Sequence, residues 1–141
     1  MIVKENKLGE IADRISRGAN GVSKWYTYPL NRAVWYSNCV RDFLEELNIY
    51  SFIIDLCCKY RHKTKEEWNI IMLQVKANKY GNRGRVFIFW DYNDKLSVSE
   101  NYKKYGIYRS TGYSTNAPVG EVKFYFIREN GEELLLFPEE R

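Results

Sequence analysis

Hydrophobic residues recur along this chain at two spacings, helical in the first part and alternating in the rest. Between Ser37 and Leu47, Val40, Phe43, Leu44 and Leu47 fall at i, i+3, i+4 and i+7, which stacks them on one helical face. Asp42, Glu45 and Glu46 lie off that face, and Ser37 is placed to cap the first turn through its hydroxyl. Asn48 breaks the pattern. A second stripe follows, built on Ile49, Phe52, Ile53, Leu56, Cys57 and Tyr60 and widened by Tyr50, Ile54 and Cys58. A helix apolar over so much of its girth is buried on two sides. The stretch therefore predicts a helical pair over 37–60, or one bent helix, laid across a sheet. Leu8, Ile11, Ala12 and Ile15 predict a shorter amphipathic helix, ended by Gly18, Asn20 and Gly21.

The strand period governs most of what remains. Lys24–Tyr28, closed by Pro29, and Ala33–Tyr36 read as short strands. Trp68–Ala77 and Arg85–Tyr92 read as longer ones. The second carries faces Val86/Ile88/Trp90 and Phe87/Phe89, the mark of a strand covered on both sides. Asn78–Gly84 between them reads as a polar turn, with Gly81–Arg85 at the hairpin tip. Asn93-Asp94 supplies turn chemistry. Lys95–Val98 and Tyr105–Arg109 are weaker strand candidates around a polar stretch, Ser99–Lys104, and Ser110–Gly120 reads as a loop. Val122–Ile127, the turn Asn130-Gly131 and Leu134–Phe137 predict a closing hairpin. Helices early and strands late predict an α+β fold, with N-terminal helices, the 37–60 pair among them, packed on a mainly antiparallel sheet. The helix at Ile49–Tyr60 is expected to cover Trp68–Ala77 and Arg85–Tyr92, with Ile53, Leu56, Leu73, Val86, Ile88 and Phe124 buried.

Composition narrows the class. The 141 residues suit a single domain, 1–141, and 45% hydrophobic with 16% aromatic content excludes disorder. No apolar run reaches the roughly 18–20 residues of a membrane span, and Met1–Glu10 lacks the apolar core of a secretory signal. Three cysteines, two adjacent, form no disulfide framework and predict reduced thiols in a cytoplasm. The net charge of +4 is unevenly spread: twelve Lys/Arg face five Asp/Glu between Lys59 and Arg109, against three and six from Glu121 to Arg141. Such a bias fits contact with a polyanion, and also a solvated face.

Candidate chemistry is sparse. His62 is the single histidine and lies in the basic connector Arg61–Lys65, while a helix turns Cys57 and Cys58 inward. Neither a nucleophile–base pair nor a tetrahedral metal spacing can be assembled, so no catalytic residue, metal or cofactor is expected. Asp55, amid Ile53, Ile54 and Leu56, is expected to meet a neighbouring Arg or Tyr. Gly81–Arg85 has glycines but no GxxxxGK[ST] and no following helix, so it is not a phosphate loop. Lys103, Lys104, Tyr105, Tyr108, Arg109 and Tyr113 interleave cations with rings. Together with Arg83 and Arg85 they form the candidate partner-binding set. Three readings stay open for them: single-stranded nucleic acid held by stacking and charge, a protein–protein hot spot, and an edge strand packed on its sheet. A pocket of Arg and aromatic residues holding a small molecule, as a sponge would, is a further alternative.

Lys24–Arg32, Val34-Trp35-Tyr36, the helical pair ending Ile53-Ile54-Asp55-Leu56, and Leu135–Glu140 recur in an order that resembles a family of small bacterial proteins, a domain of unknown function carried by plasmids, phages and other mobile elements. The likeness covers about Arg17 to the end, with Asp91–Tyr113 longer and more basic than the family's pattern. It brings no catalytic residues. What it implies is a setting, that of a non-catalytic modulator contacting a host protein or ribonucleoprotein complex, for example an anti-defence inhibitor such as an anti-CRISPR.

Overall fold

A computed structural model of the chain describes residues 5–28, 31–60 and 66–141. Helix α1 is Lys7–Ser16, capped by Asn6, whose Oδ1 accepts from Gly9 N at 2.9 Å. Strands β1, Trp25–Tyr28, and β2, Asn31–Ser37, form an antiparallel pair. Helices α2, Asn38–Leu47, and α3, Tyr50–Tyr60, follow. They are two helices and not one bent rod, because Asn48 adopts a left-handed φ of 54° and closes α2 through its own N–H. Ser37 caps α2 as expected, accepting from Val40 N at 3.1 Å.

The longest hairpin joins β3, Trp68–Asn78, to β4, Gly81–Phe89. Asn78 pairs directly with Gly81, so the turn is only Lys79-Tyr80. The expectation of a long tip at Gly81–Arg85 is thereby corrected: Arg83, Gly84 and Arg85 are strand residues, opposite Lys76, Val75 and Gln74. The cause is local, since the Asn78 side chain accepts from Tyr80 N at 2.8 Å and Gly81 takes a φ of 120°, closing the turn early. The strand also stops at Phe89, leaving Trp90 half exposed and edge-on to Tyr105 at 5.1 Å.

Lys95–Val98 is not a strand, and the polar stretch Ser99–Lys104 is helical. Helix α4 runs Val98–Tyr105, opened by a capping box in which Ser97 Oγ accepts from Glu100 N and Glu100 Oε1 accepts from Ser97 N. Strand β5, Gly106–Arg109, then pairs with β4, as does the short β6, Tyr113–Ser114. Strands β7, Gly120–Glu129, and β8, Glu132–Leu136, complete the closing hairpin. Its turn residues Asn130 and Gly131 have φ of 53° and 78°, the positive values that a two-residue type I′ turn needs.

The sheet order is β1-β2-β8-β7-β3-β4-β5, with β6 beside β4. Among the described residues all pairings are antiparallel except β2 with β8. The fold is α+β. Alternation splits each strand between two faces. On one face α1, α2 and α3 cover Leu73, Val86, Ile88, Phe124 and their neighbours in the main core. Its centre is three rings: Phe43 of α2, Phe124 of β7 and Phe137, with centroids 5.1–5.8 Å apart. The six residues expected to be buried are so, Ile53, Val86 and Phe124 completely. Helix α3 nevertheless lies chiefly along β2, edge-on through Tyr36 and Tyr50, and is not centred on β3 and β4. Asp55 is exposed on its outer side.

The opposite face has a smaller cluster, Met72, Phe87, Phe89 and Val98, covered by α4. One short helix cannot roof so wide a sheet, so much of this face is open. No helix among the described residues is long and apolar enough to cross a membrane.

Candidate functional site

The open face is where β3, β4, β7 and α4 converge, and register decides which side chains meet there. Met72 faces Phe87 and Lys123; two residues on, Gln74 faces Arg85 and Glu121; two further, Lys76 faces Arg83. The apolar part of this face thus gives way to a charged strip running toward the β3–β4 turn. Phe87 pairs on its other side with Arg109, and α4 lays Tyr102 and Lys103 over the gap. The result is a groove of about 550 Å³. Five cations line it, Lys76, Arg85, Lys103, Arg109 and Lys123, against two carboxylates, Asp94 and Glu121.

The carboxylates are largely engaged. Asp94 Oδ1 lies 2.5 Å from Lys123 Nζ, and Glu121 Oε1 accepts from Gln74 Nε2 at 2.9 Å. Among the described residues no carboxylate lies within ion-pair reach of Lys76, Arg85, Lys103 or Arg109. Lys76 directly opposite Arg83 is a like-charge cross-strand pair, an arrangement that by itself destabilises a sheet. The rings are partly occupied: Lys123 Nζ sits 4.6 Å over Tyr92 and the Arg109 guanidinium 5.2 Å over Tyr102. These cation–π contacts hold the charges in place and leave less ring face for a stacking ligand.

The expected site residues are only partly brought together. Arg85, Lys103 and Arg109 line the groove. Arg83 shares their face of β4, and its guanidinium donates to Gly112 O at 2.7 Å. Lys104 and Tyr105 sit apart, with Lys104 Nζ 5.3 Å over the Tyr105 ring beside Trp90. Tyr108 packs against the main core on the opposite face, and Tyr113 meets Phe52 there. The interleaved run was therefore not one surface, because the chain passes from a helix into a strand at Gly106 and its residues diverge. Lys76, Lys123, Tyr92 and Tyr102 belong to the groove without having been singled out. Residues 61–65, including His62, lie outside the described residues.

Titration follows burial. Tyr92 is pushed up to about 12, by burial first and then by Glu121 and Asp94. Cys39 is raised from 9.0 to about 12, by burial and then by Glu140, and burial raises Cys57 as well. Cys39, Cys57 and Cys58 are buried thiols outside any disulfide, and burial makes Cys39 and Cys57 poor nucleophiles at neutral pH. For such groups the fold favours the neutral form. Their contribution is full below the ordinary values of 9.0 and 10.0 and is lost as pH rises toward about 12. The melting temperature is thus expected to fall steadily above about pH 9. A flat profile to pH 11, in calorimetry with reductant present, would contradict this assignment.

No family model matches the chain, and neither a curated protein nor a solved structure was found similar to it.

Proposed function

We propose that this is a non-catalytic binding protein that acts by contact with a macromolecular partner, and that its working surface is the basic groove between α4 and the open sheet face. The observation that carries this reading is the set of four cations, Lys76, Arg85, Lys103 and Arg109, with no carboxylate within reach among the described residues. A sheet that places Lys76 against Arg83 without a counter-charge loses stability that an anionic partner would restore. The partner chemistry best matched is a phosphodiester chain, free or as the nucleic acid of a host ribonucleoprotein. Rings capped by Arg109 and Lys123, beside Lys76, Arg85 and Lys103 with no carboxylate in reach among the described residues, favour following the backbone over reading bases. An inhibitor of a nucleic-acid-processing defence complex, the setting implied by the mobile-element resemblance, would present such a surface to its target.

Fluorescence anisotropy with labelled single-stranded DNA, single-stranded RNA and duplex tests this. Four phosphate contacts should make the affinity fall by about 100-fold between 50 and 200 mM salt. The double variant Arg85→Glu/Lys103→Glu should weaken binding at low salt without lowering the melting temperature, since both side chains are exposed. Absence of binding to all three probes at 50 mM salt would remove the phosphodiester reading.

A further inference from the structure

A second concavity opens on the other face of the sheet, beneath the corner where α2 turns into α3. It measures about 590 Å³, within the roughly 300–1,000 Å³ typical of small-molecule sites. Its floor is Leu73 and Val75, both buried, with Gly84 of β4 beside them. The rings of Phe52 and Tyr113 lie against each other in its wall. Tyr80, 86% exposed at the β3–β4 turn, and the amides of Asn48, Asn82 and Asn116 lie around its mouth.

Gly84 is the telling residue. Its backbone has no positive φ that would require glycine. A Cβ placed there would meet Thr115 Cγ2 at 3.6 Å and Leu73 Cδ1 and Val75 Cγ2 at 3.9 Å, ordinary contact distances. The fold would therefore accept a side chain at a strand position where glycine is unfavourable. What glycine preserves is the depth of the pocket.

The rim is also fixed in advance. Asn82 Nδ2 donates to Ala117 O at 2.9 Å, Thr115 N donates to Asn82 O at 3.0 Å, and Ala117 N donates to Thr115 Oγ1 at 3.1 Å. A loop rich in small polar residues is thus tied to β4, which reduces the ordering that a ligand would have to impose. The described residues lining this pocket include none with a charge, in a chain that is 28% charged. An ion entering it would lose hydration with no compensating partner.

We infer that this pocket binds an uncharged ring-shaped ligand with one apolar face and a polar edge, the chemistry shared by a nucleoside and a hexose. The floor and the aromatic wall meet the face, and the amide and hydroxyl groups of the rim meet the edge.

Titration calorimetry and saturation-transfer NMR of the whole chain with adenosine, uridine, glucose and galactose test this. Saturable binding by a nucleoside or by a hexose is expected, and the arm that responds identifies the source. Gly84→Val fills the floor and should weaken that binding by about 10–200-fold. Tyr80→Ala removes a rim ring from a residue too exposed to affect folding, and should weaken binding while leaving the melting temperature unchanged. Binding that survives both variants would overturn the inference, as would silence in all four titrations. So would tighter binding of adenosine monophosphate than of adenosine through the same two residues. Arg85→Glu/Lys103→Glu should leave nucleoside or hexose binding intact, which separates this pocket from the groove.

Discussion

Phe124→Ala is expected to destabilise the protein by about 3–5 kcal/mol, a large part of the roughly 5–15 kcal/mol typical of a domain. Phe124 is fully buried where β7 meets α2 and the chain end, with Phe43 at 5.8 Å and Phe137 at 5.1 Å. Removing the ring deletes its own burial and unseats two aromatic partners, whose mutual edge contact at 5.5 Å cannot close over the void. Ile53→Ala, also fully buried but at the α3 end of the same core, should cost about 2–5 kcal/mol. Arg83→Ala should stay near 1 kcal/mol or less, since the exposed guanidinium has one bond, to Gly112 O. Urea unfolding of the three variants gives the ranking. A Phe124→Ala midpoint close to that of Arg83→Ala would mean that the three-ring contact does not organise the core.

The second large effect is expected at Ser37, which does two jobs at once. Its Oγ accepts from Val40 N at 3.1 Å, capping α2, and donates to Glu140 Oε1 at 2.5 Å. Glu140 is itself 2% exposed and also accepts from Phe137 N at 3.0 Å. Ser37→Ala loses a helix cap and leaves a buried carboxylate with one donor fewer, so about 2–4 kcal/mol is expected. The pair can be isolated by a double-mutant cycle with Glu140→Ala, in which coupling of about 1.5–3 kcal/mol is expected. If the two single effects simply add, the hydroxyl serves the cap alone.

What the sequence made legible was what repeats locally. The stripes through Val40–Leu47 and Ile49–Tyr60, the cap at Ser37 and the Asn130-Gly131 turn each lie within a few residues, and each is found where it was expected. Helix α4 was missed although its signals were present. Ser97 and Glu100 form the capping box, and Val98, Tyr102 and Tyr105 keep helical spacing, but two lysines and a length of eight residues dilute the stripe. The β3–β4 turn was misplaced because its two glycines suggested a loop, whereas Gly84 is a buried strand residue beside the neutral pocket. In the groove, Arg85, Lys103 and Arg109 could be noticed as cations near aromatic residues. Lys123 could not, because it approaches that set only by pairing with Met72, far away in sequence, which no local period encodes; Lys76 meets Arg83 across the β3–β4 hairpin, whose register depended on the misplaced turn.

The place of β8 bears on how the molecule comes into being. It lies parallel to β2 on one side and antiparallel to β7 on the other, so it alone joins the β1–β2 hairpin to the strands that follow α3. Strands β1 to β7 are all synthesised before it. During translation the early hairpin and the β3–β4–β7 ribbon must therefore wait, each showing a bare edge, until Glu132–Leu136 emerges and slots between them. Such a chain gains its cooperativity late, and until β8 docks those two edges can pair with the wrong neighbour.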